Sequence, residues 1–165
     1  MERLPATQLT GHMLIAATIT TGLVAGLFFG FACAVMPGLR RVDDVAFVAV
    51  MQAINVRILN GWFLVCFVGA PLLTIAALVL AIMGEAEPVG PLLAAVGLTV
   101  VSYLITAAVN VPLNNALDAA GEPSGSSDSG VVRARFEGRW VRWNVARTSA
   151  STGAFGCLVW ALTVS

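Results

Sequence analysis

The chain has 165 residues, 58% of them hydrophobic and 11% charged, against roughly 45–50% and about 25% in soluble domains. So few charges cannot cover a water-facing surface, which excludes a soluble enzyme, a nucleic-acid binder and a disordered tail. Nine acidic residues balance nine basic ones, all of them Arg, so no net field points to nucleic acid or to an acidic partner. An integral membrane protein, with the lipid bilayer as its first partner, is the class that remains.

Four stretches carry no charge, at 13–36, 61–84, 92–109 and 148–164, and a spanning helix needs about 20 residues, with a range of about 17–25. The first is too long for a secretory h-region of about 7–15 residues. Ala32-Cys33-Ala34 imitates a cleavage site, but the rest of the chain is equally apolar, so an uncleaved helix is expected. Gly22, Gly26 and Gly30 recur four apart on this span. Because lipid gives no hydrophobic drive to helix association, such small residues serve close packing, either inside the bundle or across a homodimer face. Pro37-Gly38 should end the helix.

Asp43 and Asp44 then suit the N-cap and first turn of a new helix. Phe47, Val48, Met51, Ile54 and Ile58 follow at helical spacing, so an amphipathic helix should precede the second span. The third span should end near Asn110, because Pro112 follows. GEPSGSSDSG, at 121–130, has no apolar content and reads as a flexible loop. From 131 to 147 an Arg-rich helical extension should feed the fourth span, whose Ala150, Gly153 and Ala154 offer another small face. The expected fold is all-α: residues 1–165 as one transmembrane domain, a bundle of four helices.

Arg40, Arg41 and Arg57 lie in the first connection, and Arg133, Arg135, Arg139 and Arg142 in the third, with Arg147 just beyond. The middle connection has no basic residue and the N-terminal tail only Arg3. Cytoplasmic loops hold the excess of Arg, so loops 37–60 and 110–147 should face the cytoplasm and both termini the outside of the plasma membrane. No charge lies mid-span and no internal repeat is evident, which disfavours a transporter. Cys33, Cys66 and Cys157 sit in apolar runs without metal-ligand spacing, and His12 stands alone before the first span. No metal, haem or other cofactor is expected.

The informative polar residues gather at one membrane face. Gln52, Asn55 and Arg57 precede the second span, Asn110, Asn114 and Asn115 follow the third, and Trp140, Trp143, Asn144 and Arg147 precede the fourth. The last four are spaced i, i+3, i+4 and i+7, one stripe of a helix. On one reading, amides tie helix ends together while Trp forms the interfacial belt. Alternatively these groups converge on a pocket for a flat aromatic ligand, with Arg147 as its fixed cation and Asn144 and Asn110 beside it on the ligand's oxygen.

The segments VMPGL (35–39), MQAIN (51–55), NVPLN (110–114) and RWVRWNVART (139–148) resemble the signature blocks of the anthrone oxygenase-like family. These are small four-helix membrane proteins, many of them known only as a domain of unknown function. The resemblance covers nearly the whole chain. It implies oxidation of polyketide anthrones to anthraquinones by molecular oxygen without a recognised cofactor. By motif it carries over to Asn55, Asn110, Asn114, Trp140, Trp143, Asn144 and Arg147.

The chemistry is feasible without a metal, because an ionised anthrone is electron-rich enough to react with oxygen itself. The protein must bind the ring, stabilise the oxyanion and exclude water. The stripe contains no His or Cys. Glu137, the nearest carboxylate in sequence, is either a partner for a nearby Arg or a base that reaches the site; otherwise the substrate arrives ionised. A non-enzymatic membrane protein that binds a lipid or quinone, or a subunit of a larger complex, would use the same donors.

Overall fold

The computed structural model describes residues 6–84, 88–123 and 126–165, and all regular structure among them is helical. Helix α1 (Ala6–Gly30) passes through a π-helical turn, Phe31–Val35, into the short α2 (Met36–Leu39). Then come α3 (Asp44–Arg57), α4 (Gly61–Met83) and α5 (Val89–Ile105). A second π-helical turn, Thr106–Asn110, leads into α6 (Val111–Asp118), and α7 (Ser126–Thr163) closes the chain. Arg3, positions 85–87 of the middle connection and positions 124–125 of the expected loop lie outside the described residues.

Three stretches are long and apolar enough to cross a membrane: Gln8–Leu39, Gly61–Met83 and Val89–Asp118. The second agrees with the expected 61–84. The other two run past their expected ends, because neither Pro37 nor Pro112 stops its helix. Proline lacks an N–H and its ring strikes the carbonyl four residues back. In both places the chain widens into a π-helical turn just before the proline, which then falls in the first turn of the next segment, where no N–H is needed. The helix keeps its direction and carries Asn110 and Asn114 with it.

Asp43 caps α3 as its sequence suggests, accepting from the Ala46 N–H at 2.8 Å. Asn60 does the same for α4, accepting from the Phe63 N–H at 3.1 Å. The loop expected at 121–130 is shorter, since α7 already begins at Ser126. Ser129 is buried, and Gly130 sits so near α3 that a Cβ there would lie 2.9 Å from Asp44 Oδ2. That contact seats a segment whose composition alone reads as loop. Gly121, at φ 77°, adopts the left-handed turn that follows α6.

The C-terminal half of α7 packs along α1 and α5. It is not among the three spanning stretches, since Arg147, Thr148, Ser149, Ser151 and Thr152 begin it. Gly153 meets Leu98 of α5 and Gly22 meets the Phe155 ring, so these two glycines serve packing within the chain. Gly26 and Gly30 face open space.

Two buried clusters divide the molecule lengthwise. At the end where α1 begins and α7 finishes, Leu14, Ala17, Ala77, Ala95, Leu158 and Ala161 interlock. At the opposite, polar end, Phe31, Met36, Phe47, Met51, Phe136 and Trp140 form the second cluster. Leu23, Val65, Leu72 and Leu104 point outward, as on a lipid-facing surface. Trp62 and Trp160 are exposed near opposite ends of the bundle, where interfacial aromatics sit.

Candidate functional site

A cavity of about 150 Å³ lies at the polar end between α1, α3, α4, the second π-helical turn and α7. Five aromatic side chains line it: Phe28, Phe31, Phe63, Phe67 and Trp140. Met51 and Ile54 of α3, with Ile58 at its C-cap, form another side. Leu59, Leu64 and Val111 also line it and are exposed, so the cavity opens sideways rather than into the bundle. A closed space of this size accommodates a benzene-sized molecule, and a larger flat ring would extend through the open side.

The aromatic wall is held by a backbone defect. Pro71 within α4 removes the N–H that would serve the Phe67 carbonyl. The Tyr103 hydroxyl of α5 donates to that carbonyl instead. The Tyr103 and Phe67 rings stack at 4.5 Å, and Phe67 stacks on Phe63 at 5.0 Å. Phe31 tilts against Trp140 at 5.6 Å on the facing side.

Arg147 is the charged group of the cavity and is only 7% exposed. Its guanidinium lies 4.0 Å from the centre of the Phe28 ring and 5.3 Å from that of Trp140. Its Nε donates to Asn144 Oδ1 at 3.0 Å, and Asn144 Nδ2 donates to the Phe28 carbonyl at 3.2 Å. No carboxylate lies within ion-pair distance of it among the described residues. Asn144, fully buried, therefore acts from behind, fixing Arg147 against α1. Ser102 and Ser151 join α5 to α7 nearby through a 2.7 Å hydroxyl contact.

Asn110 also lines the cavity and is 1% exposed, yet neither its amide oxygen nor its nitrogen has a partner. A buried polar atom left unsatisfied costs about 1–3 kcal/mol. The residue closes a π-helical turn, an irregularity that recurs at functional sites. Asn110 thus adds an unpartnered donor and acceptor to the lining that also contains Arg147.

Asn114, Asn55 and Gln52 are already engaged. Asn114 Oδ1 accepts from Trp140 Nε1 at 2.8 Å, aligning the indole. Asn55 Nδ2 donates to Asp118 at 3.4 Å, and Gln52 donates to the Leu117 and Gly121 carbonyls, each at 2.9 Å. Asn55 and Asn114 still line the cavity, whereas Trp143 is half-buried and lies outside its lining. Of the seven residues singled out in the sequence, five line the cavity and Asn144 supports it. Phe28, Phe31, Phe63, Phe67 and Thr106 escape sequence reasoning because they look like ordinary span residues. The spacings Phe28/Phe31 and Phe63/Phe67, each one helical turn, are the signal that could have found them.

Glu137 does not reach the cavity. It takes Arg40 Nε at 3.2 Å and Arg133 Nε at 2.7 Å. Arg133 also donates to Asp44 and to the Val42 carbonyl, clamping α7 onto the turn between α2 and α3. The Glu137 hydrogen bond raises the Arg133 guanidinium pKa above its usual value. Among the described residues, no three His, Cys, Asp or Glu side chains converge as a metal site would require.

A sequence-family model described as anthrone oxygenase matches residues 62–157, more than half of the chain, and the chain belongs to that family. The matched stretch runs from α4 into α7 and includes Asn110, Asn114, Trp140, Asn144 and Arg147. No curated protein and no solved structure matches.

Proposed function

We propose that this family member is a membrane-embedded oxygenase acting without a cofactor on a flat aromatic, polyketide-like substrate. α7 completes a four-helix transmembrane bundle, and the Arg-rich polar end faces the cytoplasm. The ring system slides between the Phe63–Phe67 face and Trp140, and its oxygen-bearing edge meets Arg147 and Asn110. Its far edge projects past Leu59 and Val111 toward lipid. The single observation behind this reading is a buried, carboxylate-free Arg147 beside the unpartnered Asn110 in an aromatic cavity.

For an anthrone the overall change is balanced. The ring CH2 becomes a carbonyl, one atom of O2 enters that carbonyl, and the other leaves as water with the two hydrogens. The ionised ring supplies the electrons. The protein's part is to hold the oxyanion in a fixed electrostatic environment and to keep water from the reacting carbon. Arg147 and Asn110 stabilise the anion, Asn144 orients Arg147, and Asn114 orients Trp140.

Purified protein in detergent should convert an anthrone to its anthraquinone with one O2 consumed per ring. Arg147→Lys keeps the charge but loses the fork of donors. It should lower kcat/KM by about tenfold to a hundredfold, the range of one charge-assisted hydrogen bond. Asn144→Ala should act in the same direction. Parental rates from both variants, in folded protein, would contradict the site.

A further inference from the structure

The protonation state of the ligand can be read from what surrounds Arg147. Beyond the Nε bond to Asn144, its guanidinium makes no hydrogen bond among the described residues, leaving both terminal nitrogens for a ligand. The rings of Phe28 and Trp140 soften the cost of burying the cation but do not cancel its charge. An anion entering the cavity would cancel it, whereas a neutral ring would not.

Among the described residues the same cavity contains no group suited to remove a proton. Apart from Arg147, the titratable or charged side chains on the surrounding elements are His12 on α1, Cys33 in the first π-helical turn, Asp44 and Arg57 on α3, Cys66 on α4, Tyr103 on α5, Asp118 on α6, and Asp128, Arg133, Arg135, Glu137, Arg139, Arg142 and Cys157 on α7. None lines the cavity. Glu137 is held by Arg40 and Arg133, Asp118 by Asn55, and the Tyr103 hydroxyl by the Phe67 carbonyl.

From this pairing, an uncompensated cation in a cavity without a base, we infer that the site selects the conjugate base of an aromatic hydroxyl or enol. The chain binds an anion already formed and does not generate it. The inference rests on the cavity being the ligand site, and it extends that reading to the class of ligand bound. It follows that the pH dependence of binding belongs to the ligand, not to the protein.

Three unreactive probes test this in nanodiscs under nitrogen: 2-naphthol, a more acidic nitro-substituted naphthol, and 2-methoxynaphthalene, which cannot ionise. Binding is measured by equilibrium dialysis against pH, with empty nanodiscs as the blank. Each naphthol should bind more tightly as pH rises through its own pKa, giving two separate midpoints. The ether should show no midpoint and bind at least about tenfold more weakly than the naphtholates, the loss of one charge-assisted contact. Arg147→Gln should bring the naphtholates down to the ether's affinity. If that variant does not fold, the three probes on the parent protein decide alone. A common midpoint for both naphthols, or an ether bound as tightly as the anions, would overturn the inference. Anion selection without anthrone oxidation would remove only the oxygenase reading. Oxidation with a protein-set midpoint would remove only this inference.

Discussion

The two ends of the bundle solve the same packing problem in opposite ways. At the end where α1 begins and α7 finishes, alanines at 17, 77, 81, 95, 154 and 161 are all completely buried and let the helices approach closely. Lipid supplies no hydrophobic drive, so this close contact is itself the stabilising force. At the polar end, large rings and methionines hold the helices apart. The space they leave is the cavity, and two of its polar groups, Arg147 and Asn110, have bonding capacity to spare. One end is filled by the protein's own side chains, and the other leaves a cavity.

That contrast can be broken by filling both ends alike. Ala95→Phe, in the close-packed half, should destabilise the protein by about 1–3 kcal/mol, the usual cost of overpacking. Ile54→Phe adds bulk beside the cavity and should change stability by less than about 0.5 kcal/mol while blocking naphtholate binding. Thermal melts in one detergent compare the two directly. Equal losses would mean that the polar end has no spare room.

Asn110→Leu sharpens the comparison through opposite signs. Removing an amide with no partner should raise stability by about 1 kcal/mol, and ligand affinity should fall. Lower stability would show that the amide has a structural bond instead. The smallest effect is expected at Trp143, outside the cavity. Trp143→Phe should shift stability and ligand affinity by less than about 0.5 kcal/mol each, read from the same melts and dialysis.

Much of this arrangement was legible in the sequence, and the reasons differ by region. Charge-free runs marked the three stretches apolar enough to span, though not the ends of two of them, and the Asp43 cap and apolar stripe of α3 were visible from local spacing. The i, i+3, i+4, i+7 pattern placed Trp140, Asn144 and Arg147 on one side of a helix, which the structure bears out. Pro37 and Pro112 misled, because a proline that ends a regular helix is tolerated when a π-helical turn precedes it, and no residue type announces such a turn. The early start of α7 was hidden because Ser129 and Gly130 are ordered by a distant partner, Asp44 on α3. Trp143 shares the spacing of the stripe but not the cavity, since spacing fixes a helix face and not what lies opposite.

Under the proposed function an aromatic ligand occupies the polar end, against Arg147, and not the alanine-packed end. Anthraquinone itself abstracts hydrogen from nearby side chains on irradiation and can remain attached, so it reports its own position. Purified protein irradiated with anthraquinone, digested and sequenced by mass spectrometry should carry the label on Met51, Ile54, Ile58 or Leu59 of the cavity wall. An excess of naphtholate should compete the label away. Label confined to the region of Ala77, Ala81, Leu92 and Ala95, or left unchanged by naphtholate, would contradict the account.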